Sequence, residues 1–330
     1  MNRGCSAAFQ FAGRKGSQRM QIRSLHHLSA NSLSPLLLEE KEAWARFLKW
    51  DFRPVLEILG RLLESCTLPG FAAMEQERPV GYAYYWEQKG QGLIGGCFVS
   101  QHFAGRRYEE ALLSEVINAL QTRSHNQRIE AQFMSFHAWG ADLFFLSRGF
   151  QVYPRYFMIR EDMTTEAHAE PPGIELTPWN GAHLEAAALL TRNAYAGLED
   201  SAVSSHYRNE AGCREFLSNI ILRPGCGAFL SEASFSAWNA ANGEMAGFVL
   251  ASMVSPRNGH IPQITVSTAC QGRGLGKIML NRAVESLALR NYQSVSLSVT
   301  ASNQRAVGLY RHNRFQILKP FQAYVWERKL

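Results

Sequence analysis

Two segments of this 330-residue chain repeat one another without a gap, and this repeat constrains the possible fold more than any other feature. The segment "GLIGGCFVSQHFAGRRYEEALL" (residues 92–113) aligns with "GHIPQITVSTACQGRGLGKIML" (residues 259–280). A strand-like run precedes each segment, and "FFLSRGFQV" is echoed later by "GLYRHNRFQI". Matches in the same order along the chain indicate a duplicated domain.

A polar segment separates the two copies. The run "EDMTTEAHAEPPG" lacks apolar periodicity and ends in Pro-Pro-Gly, which is typical of a linker. We therefore assign a first domain to residues 20–160, a linker to residues 161–172 and a second domain to residues 173–330. Residues 1–19 precede the first domain as a basic tail.

The second copy alternates between strand and helix patterns, which predicts an α/β (α+β) layer with a helix directly after a glycine cluster. We expect strands at residues 173–179, 227–235, 244–254, 260–267, 294–300 and 315–328. We expect helices at residues 181–197, 212–221 and 276–290, and a short one after Asn303. In the first copy, residues 36–63 predict helices that bury Trp44, Phe47 and Trp50.

The net charge of +6 is concentrated near the N-terminus. Residues 1–38 hold five basic residues and no acidic one, which leaves +1 for the rest of the chain. The folded body is therefore nearly neutral, and nucleic-acid binding has little support. We interpret residues 1–19 as a disordered tail, or as the result of a true start at Met20. An organelle transit peptide is the alternative, because the stretch contains Arg and Ser but no acid.

Cysteine spacing and apolar run length exclude further function classes. No two of the six cysteines form a C-x-x-C pair, so neither a zinc ribbon nor a thioredoxin-type site is expected. We predict reduced thiols in a cytoplasmic protein that binds no metal. No apolar run approaches the roughly 18 residues of a membrane helix, so no membrane association is expected.

The stretch "QGRGLG" (residues 271–276) lies between a predicted strand and a predicted helix. A helix N-terminus presents unpaired N–H groups and the positive end of the helix dipole, so this turn suits a phosphate or pyrophosphate. A P-loop is excluded because Gly272 and Gly276 are one residue too close and Ile278 replaces the hydroxyl residue. A dinucleotide fingerprint is excluded because Lys277 stands at its third glycine position.

The spacing Gln271-x-x-Gly274-x-Gly276 after a strand resembles the acetyl-CoA motif of the GNAT acetyltransferase superfamily. The downstream block agrees with the family pattern, with one departure at Arg314, where a Gly is usual. That block comprises Asn303, Ala306, Leu309, Tyr310 and Phe315. The resemblance implies two tandem GNAT-like domains, each a mixed, mostly antiparallel twisted sheet flanked by helices. It covers residues 173–330 well and residues 50–160 more weakly.

The resemblance further implies that acetyl-CoA is a co-substrate whose pyrophosphate is held by backbone N–H groups of the turn. The end of the preceding strand would bond the pantetheine arm, and Asn303 would bond it, cap its own helix, or do both. The implied cofactor-binding residues are Ile264, Thr265, Val266, Gln271, Gly272, Arg273, Gly274, Leu275, Gly276, Lys277 and Asn303.

The implied chemistry is direct attack of an amine on the thioester, with Tyr310 as the general acid that protonates the departing thiolate. Family members often carry a base, a Glu, on the fourth strand, but this strand offers only His260 and Gln263. His260 titrates in a suitable range, although a structural role is equally consistent with its place at a strand start. Gln263 would only orient a water molecule.

Residues 193–212 lie between two predicted helices, in a region that lines the acceptor site in this superfamily. We assign Tyr195, Asp200 and Tyr207 to acceptor binding, with an ordinary polar loop as the alternative. The acceptor would be a small-molecule amine or a protein amine.

In the first copy the turn has changed. Arg107 and Glu109 stand opposite Gly274 and Gly276, and Phe145 stands opposite Tyr310. The carboxylate repels a pyrophosphate, and phenylalanine donates no proton. We predict that this half keeps the fold, has lost acetyl-CoA chemistry, and either buttresses the second half or walls its acceptor pocket.

The sequence thus favours an acetyl-CoA-dependent N-acetyltransferase that works through a ternary complex. A non-catalytic acyl-CoA-binding or regulatory GNAT-like module is the alternative, motivated by the missing carboxylate on the fourth strand and the altered first half. Neither the acceptor nor the oligomeric state follows from the spacing of residues.

Overall fold

The computed structural model describes residues 20–165 and 171–329 of the chain. The predictions made for residues 1–19, and for the middle of the assigned linker, lie outside these described residues. Residues 161–165 form neither helix nor strand. They are held against the second copy by Arg314, whose Nη1 donates to Oδ2 of Asp162 at 2.5 Å.

The first half contains ten regular elements among its described residues. They are β1 (Gln21–Ser24), α1 (Ala30–Leu48), α2 (Arg53–Glu64), β2 (Gly70–Glu75), β3 (Arg78–Gln88), β4 (Gln91–Val99), α3 (Arg106–Gln121), β5 (Arg128–Ala131), α4 (Ala141–Ser147) and β6 (Gln151–Arg160).

The second half has the same order, with one short helix and one short strand added. Its elements are β7 (Ile174–Pro178), α5 (Leu184–Tyr195), α6 (Glu199–Val203), α7 (Glu210–Leu222), β8 (Ala228–Phe229), β9 (Phe235–Asn239), β10 (Met245–Ser255), β11 (Asn258–Val266), α8 (Leu275–Leu289), β12 (Ser294–Thr300), α9 (Gln304–His312) and β13 (Gln316–Glu327). Strands β4 and β11 begin and end at residues that the sequence alignment places opposite one another.

One predicted strand is wrong. The segment 227–235 is divided by a 3₁₀ helix, Ser231–Ala233, and the main strand starts only at Phe235. The Ser234 hydroxyl donates to Leu230 O at 2.8 Å and accepts from Ala251 N at 2.9 Å. The Ser234 hydroxyl thus takes the place of a backbone carbonyl as the acceptor for Ala251 N of β10. Local hydrogen bonding by this side chain explains why the segment is not a continuous strand.

The two halves form one sheet because they exchange their last strands. Its order is β1-β2-β3-β4-β5-β13-β6-β12-β11-β10-β9-β7, with β8 paired to β10. Strand β13 of the second half pairs with β5 of the first, and β6 of the first half pairs with β12 of the second. Only the β4–β5 and β11–β12 pairs among these strands are parallel. The predicted fold class, a mostly antiparallel sheet flanked by helices, is confirmed.

Helices cover both faces of this sheet. In the first half, α3 and α4 pack on one apolar cluster and α1 and α2 on another. In the second half, α8 and α9 cover one face and α5 and α7 the other. A smaller cluster joins the halves, with Trp50 and Phe157 from the first half against Val254 from the second.

An ion network with a buried centre, Arg128 and Glu130, and two half-exposed members, Glu327 and Arg208, ties the exchanged strands together. Arg128 on β5 donates to Glu130 at 2.6 Å and to Glu327 on β13 at 2.5 Å. Glu327 also accepts from Arg208 of the second half at 2.7 Å, and Glu130 accepts from Ser205 N at 2.8 Å. Removing one partner of such a buried pair leaves an uncompensated charge, so the network resists separation of the halves.

The aromatic residues predicted to be buried on α1 differ in their environments. Trp50, just after the helix, is buried, and Trp44 is half-buried. The prediction was wrong for Phe47, which is 43% exposed because it lies on the solvent face of α1.

None of the helices in the described part of the chain is long and apolar enough to span a bilayer.

Phe145 on α4 tests how strongly the halves are coupled. Its ring is fully buried and stacks on Tyr324 of β13, with ring centroids 3.9 Å apart. We expect Phe145→Ala to lower the free energy of unfolding by about 3–5 kcal/mol. The unfolding curve in denaturant should remain a single transition, because β13 is part of the second half in sequence but pairs with β5 and β6 of the first half. Leu143→Ala, on the exposed face of the same helix, is the matched control. Two separated transitions would contradict the coupling.

Candidate active site

The site begins where two parallel strands separate. Strands β11 and β12 pair from Asn258 to Ile261 and no further. The next residue, Pro262, has no N–H to donate, and β11 carries an extra residue opposite β10 between His260 and Gln263. The missing donor and the bulge together explain why the strands splay apart at this point.

Beyond the bulge, β11 keeps its bonds to β10 and turns its other edge to the gap. Ser267 N donates to Ala246 O at 2.8 Å. Because bonding directions alternate along an antiparallel strand, Thr265 also faces β10, whereas the backbone groups of Ile264 and Val266 face the gap. The gap therefore offers a free strand edge to an extended ligand.

The glycine turn closes one end of the gap. Gly272 and Gly274 have φ values of 79° and 85°, in the left-handed region that favours glycine. Gly274 is the N-cap of α8, with no side-chain cap and no acidic residue in the first turn. The N–H groups of the first three helical residues, Leu275 to Lys277, therefore have no intrahelical acceptor. An anion fits here by charge and by hydrogen bonding.

Side chains brace the turn from both sides. Gln271 Nε2 donates to Val266 O at 3.0 Å, and its Oε1 accepts from Arg305 Nη1 at 2.6 Å. Gln271 thus ties the turn to β11 and to α9. No sequence motif singles out Arg305, since its role depends on how α9 packs beside the turn.

The gap opens into a cavity of about 730 Å³ that both halves line. The second half contributes the turn, the edge of β11, Asn303 and Tyr310. The first half contributes Trp44, Trp50, Phe52, Val55, Gln132, Met134, Arg155 and Phe157. The prediction that the first half walls this pocket agrees with the structure.

Tyr310 and Asn303 face the cavity from α9 and its cap. Asn303 Oδ1 accepts from Ala306 N at 3.1 Å, so it caps α9 as predicted. Tyr310 is buried, and its hydroxyl has no hydrogen-bond partner within residues 20–165 and 171–329. Burial, and then the nearby Tyr195 and Asp200, raise the pKa of Tyr310. The phenol therefore keeps its proton at physiological pH and remains a donor.

Two of the three residues assigned to acceptor binding, Tyr195 and Tyr207, meet in one hydrogen-bond network. The rings of Tyr195 and Tyr207 stack with centroids 4.3 Å apart. Tyr207 donates to Gln263 Oε1 at 3.1 Å, and Gln263 Nε2 donates to Tyr195 Oη at 3.0 Å. Gln263 also donates to Thr265 at 2.8 Å, so its amide is fixed in position. Burial raises the pKa of both tyrosines, which keeps them neutral.

Asp200 is the only acidic residue among the described residues that line the cavity. It lies on α6 and is largely buried, and its Oδ1 accepts from the Thr300 hydroxyl at 2.7 Å. It lies near Tyr310 and Tyr195, since it contributes to the raised pKa of each. A buried carboxylate with a second free oxygen suits a cationic ligand.

His260 is held in an aromatic environment. Its Nδ1 is 3.0 Å from Ser296 Oγ, and its ring contacts Trp50 edge-on and lies parallel to Phe157. Burial lowers its pKa to about 3. The imidazole is therefore neutral at ordinary pH and only a weak base, which argues against the proton-accepting role expected from the sequence.

In the first half, the side chain of Glu109 fills the corresponding turn. Helix α3 starts two alignment positions earlier than α8, because Arg107 and Glu109 are not glycines. Glu109 is buried in the first turn, and its Oε1 accepts from Gly105 N at 3.3 Å. Burial raises the pKa of this carboxyl. The protein carboxyl thus occupies the position where the second half leaves room for an anion.

A second buried carboxyl positions the aromatic wall. Glu40 on α1 accepts from Trp44 Nε1 at 3.2 Å and from the Tyr82 hydroxyl. The Trp44 ring in turn stacks on Phe52, with centroids 4.6 Å apart. The sequence suggested only core packing for this region.

No group of three or more potential ligand side chains suited to a metal occurs in the described ranges.

Comparisons with known proteins agree with this geometry. The family model described as "Acetyltransferase (GNAT) family" matches residues 226–314, which contain β11, the glycine turn and α9. Over 145 residues, or 44% of this chain, the sequence is 29% identical to a mycothiol acetyltransferase of Beutenbergia cavernae. The match spans 46% of the length of that relative.

Similar solved structures extend over both halves. A GCN5-related N-acetyltransferase from Sphaerobacter thermophilus has a TM-score of 0.65 at 17% identity, covering 93% of this chain and 95% of its own. A tandem GNAT protein from the clavulanic acid biosynthesis pathway has a TM-score of 0.57 at 12% identity, covering 94% and 98%. At these identities the likeness shows a shared fold across the whole chain.

Glu40 makes stability depend on pH. Burial raises its pKa to about 7, against hydrogen bonds from Tyr82 and Trp44 that lower it. The folded state therefore keeps the proton up to about pH 7, and the unfolded state loses it near its ordinary value. The resulting stabilisation is complete below that ordinary value and is lost as the pH rises through about 7.

We expect Glu40→Gln to remove this dependence. Between pH 5 and pH 8 the free energy of unfolding of wild type should fall by roughly 2–3 kcal/mol relative to the variant. Urea denaturation at both pH values measures it. Glu39→Gln, at the neighbouring position, is the control and should keep the wild-type slope. Parallel pH profiles of wild type and Glu40→Gln would contradict the assignment.

Proposed function

We propose that this chain, whose C-terminal half carries a domain of the GNAT acetyltransferase family, is an acetyl-CoA-dependent N-acetyltransferase. The observation that carries the proposal is the glycine turn at the end of the splayed strand, which opens into a cavity containing Tyr310. The first half of the chain supplies the far wall of that cavity rather than a second acetyl-CoA site.

The residues of the second half fit acetyl-CoA. The free N–H groups of Leu275, Gly276 and Lys277 would hold the pyrophosphate, with positive charge added by Lys277 and Arg273. The edge of β11 at Ile264 and Val266 would bond the pantetheine arm as an added strand does. The Val266 N–H, which faces the gap, would polarise the thioester carbonyl. When bound, acetyl-CoA supplies an activated acetyl group and a thiolate leaving group.

The reaction forms one bond and breaks one. The amine nitrogen of the acceptor attacks the thioester carbonyl carbon, a C–N bond forms, and the C–S bond breaks. Tyr310 gives its proton to the departing sulfur and recovers one from solvent. Asp200 pairs with the acceptor ammonium and receives, through water, the proton whose loss makes the amine nucleophilic. The nitrogen releases a second proton to solvent as the amide forms. Asp200 thereby replaces His260 as the proposed proton acceptor.

The remaining predicted site residues hold other groups in position and take no part in proton transfer. Gln263 fixes the two tyrosine hydroxyls beside the β11 edge, and Thr265 fixes Gln263. Asn303 caps α9 and so holds Tyr310 at the cavity. In the first half, Glu109 satisfies the turn from within and opposes a bound anion, so we propose one acetyl-CoA site per chain.

A non-catalytic acyl-CoA-binding module remains the second candidate. The observation that favours it is that β11 carries no carboxylate and its His260 is a weak base. The two candidates differ in turnover: an enzyme releases CoA when acetyl-CoA and a suitable amine are both present, and a binding module does not.

Acetyl-CoA titration by calorimetry tests the cofactor site. We expect one site per chain in wild type and at least about 100-fold weaker binding in the Gly274→Glu, Gly276→Glu double variant, because two carboxylates would oppose the pyrophosphate. Gly308→Ala is the matched control, since a methyl group there meets nothing within 4 Å. Two sites per chain, or unchanged affinity in the double variant, would overturn the assignment.

Tyr310→Phe tests the general acid. We expect kcat to fall by about 100-fold or more, while the dissociation constant for acetyl-CoA stays within about twofold of wild type. Steady-state CoA release measures the first quantity and calorimetry the second. Tyr292→Phe removes a phenol outside the cavity and should leave both unchanged. Equal loss of binding and turnover in Tyr310→Phe would indicate a packing role instead.

A further inference from the structure

We infer that the acceptor is an aromatic α-amino acid, bound as a zwitterion between Asp200 and Arg155 with its ring against the aromatic wall. This inference rests on the proposed N-acetyltransferase function and names its substrate class. It follows from three features of the cavity. Asp200 and Arg155 lie on either side of Thr300, the Arg155 guanidinium has a donor without an acceptor, and the first half supplies aromatic side chains.

The acid and the base are brought together by strand exchange. Arg155 on β6 lies directly opposite Thr300 on β12, and directly opposite residues of an antiparallel pair share one face of the sheet. The Thr300 hydroxyl donates to Asp200 Oδ1 at 2.7 Å. Arg155 and Asp200 therefore flank one threonine. Among the described residues, Arg155 donates to the neutral amide of Gln132 and Asp200 accepts from the hydroxyl of Thr300, so these contacts leave both charges uncompensated.

Arg155 has an unused donor. Its Nη1 donates to Gln132 Oε1 at 2.6 Å, but its buried Nε–H has no acceptor among the described residues. A buried donor without a partner is costly, and a guanidinium presents its donors in a fork that matches a carboxylate. A ligand carboxylate in the cavity would neutralise the charge of this guanidinium, which lines the cavity.

The spacing of these groups selects an α-amino acid. The ammonium and the carboxylate of a zwitterion are attached to one carbon, so both must be bound within a few ångströms of each other. Asp200 is hydrogen-bonded to Thr300 and Arg155 lies opposite Thr300, and both charges act on the pKa of Tyr195 and Tyr207, so one negative and one positive group lie near the same pair of rings. A simple amine would leave the charge of Arg155 uncompensated, and a lysine side chain would carry its carboxyl group much farther from the amine.

The aromatic wall accounts for the side chain of the acceptor. Phe321 of β13 lies under the Arg155 guanidinium, 5.7 Å from ring centroid to Cζ. Phe321 packs against the cluster that contains Trp50 and Phe157. Trp44 and Phe52 continue this surface along the cavity as a parallel stack. Flat rings favour offset or edge-to-face contacts with such a surface, so an aromatic side chain gains most from it.

The resulting step transfers acetyl from sulfur to the α-nitrogen. The α-ammonium loses one proton toward Asp200, and the amine nitrogen then attacks the thioester carbonyl carbon while the C–S bond breaks. The nitrogen releases a second proton to solvent as the amide forms, and the CoA sulfur takes a proton from Tyr310, which recovers one from solvent. The products are an N-acetyl aromatic amino acid and CoA. The carboxylate stays on Arg155 throughout, so Arg155 and the wall act as specificity determinants rather than as catalytic residues.

The test compares three acceptors on the full-length protein: L-phenylalanine, L-phenylalaninamide and L-alanine. The amide removes the carboxylate charge and alanine removes the ring. We expect kcat/KM for L-phenylalanine to exceed that for the amide by about 10- to 100-fold, as for a lost charged hydrogen bond. We expect a similar advantage over L-alanine from ring burial. Calorimetric binding of each compound to the protein saturated with CoA gives a second readout that needs no turnover.

Two variants assign the effects to residues. Arg155→Gln should remove the advantage of L-phenylalanine over its amide and leave acetyl-CoA affinity unchanged. Arg311→Gln, an exposed arginine on α9, is its control. Trp44→Leu should weaken the binding of L-phenylalanine by about 10-fold more than the binding of L-alanine. Phe47→Leu, on the exposed face of α1, should not change the ratio of the two affinities.

The outcomes separate this inference from the proposed function. Preference for L-phenylalanine that depends on Arg155 supports it. Acetylation of amines without preference for carboxylate or ring overturns it and leaves the N-acetyltransferase proposal in place. Binding of L-phenylalanine through Arg155 without any CoA release supports the amino-acid site and overturns the enzyme. Absence of L-phenylalanine binding in a protein that binds acetyl-CoA overturns the inference.

Discussion

The exchange of β6 and β13 between the two halves is the constraint on which the rest of the structure depends. Each half lacks a last strand of its own and completes its sheet with the last strand of the other. Because a strand must pair on both edges to be buried, neither sheet is finished alone. The exchange also fixes the register that places Arg155 opposite Thr300. The cavity is therefore a property of the pair of halves and not of either one.

The two copies started from one pattern and now differ in how they satisfy the same helix N-terminus. In the second half, Gly272 and Gly274 take left-handed backbone conformations and leave the N–H groups of the first turn unpaired. In the first half, Glu109 turns back toward Gly105 N and occupies that position. The electrostatic attraction is the same in both: the first copy satisfies it with its own carboxyl, and the second leaves its N–H groups open to an anion. A duplicated fold can thus keep one site and convert the second copy into a wall for it.

The first half contributes a largely aromatic wall to the cavity, together with the polar side chains of Gln132 and Arg155. Glu40 fixes Trp44 by a hydrogen bond, and the Trp44 ring stacks on Phe52. The second half contributes the polar groups: Asp200, the tyrosine pair and the β11 edge. A site with an apolar side and a small set of oriented polar groups is the usual form of a small-molecule pocket. The two halves therefore contribute different sets of groups to one cavity.

The sequence by itself determined the duplication, the α/β layering, the glycine turn and the Asn303 cap, because each depends on local patterns: repeated spacing, alternating apolar positions and glycine before a helix. The mostly antiparallel sheet was implied by the resemblance to the GNAT superfamily. The sequence could not determine the strand exchange, since strand pairing beyond neighbours leaves no local signal. The lowered pKa of His260 and the unused donor of Arg155 likewise come from burial, which only the tertiary structure decides. Trp44, assigned from its helix pattern to a core, became a cavity wall for the same reason: the partner surface came from a distant part of the chain.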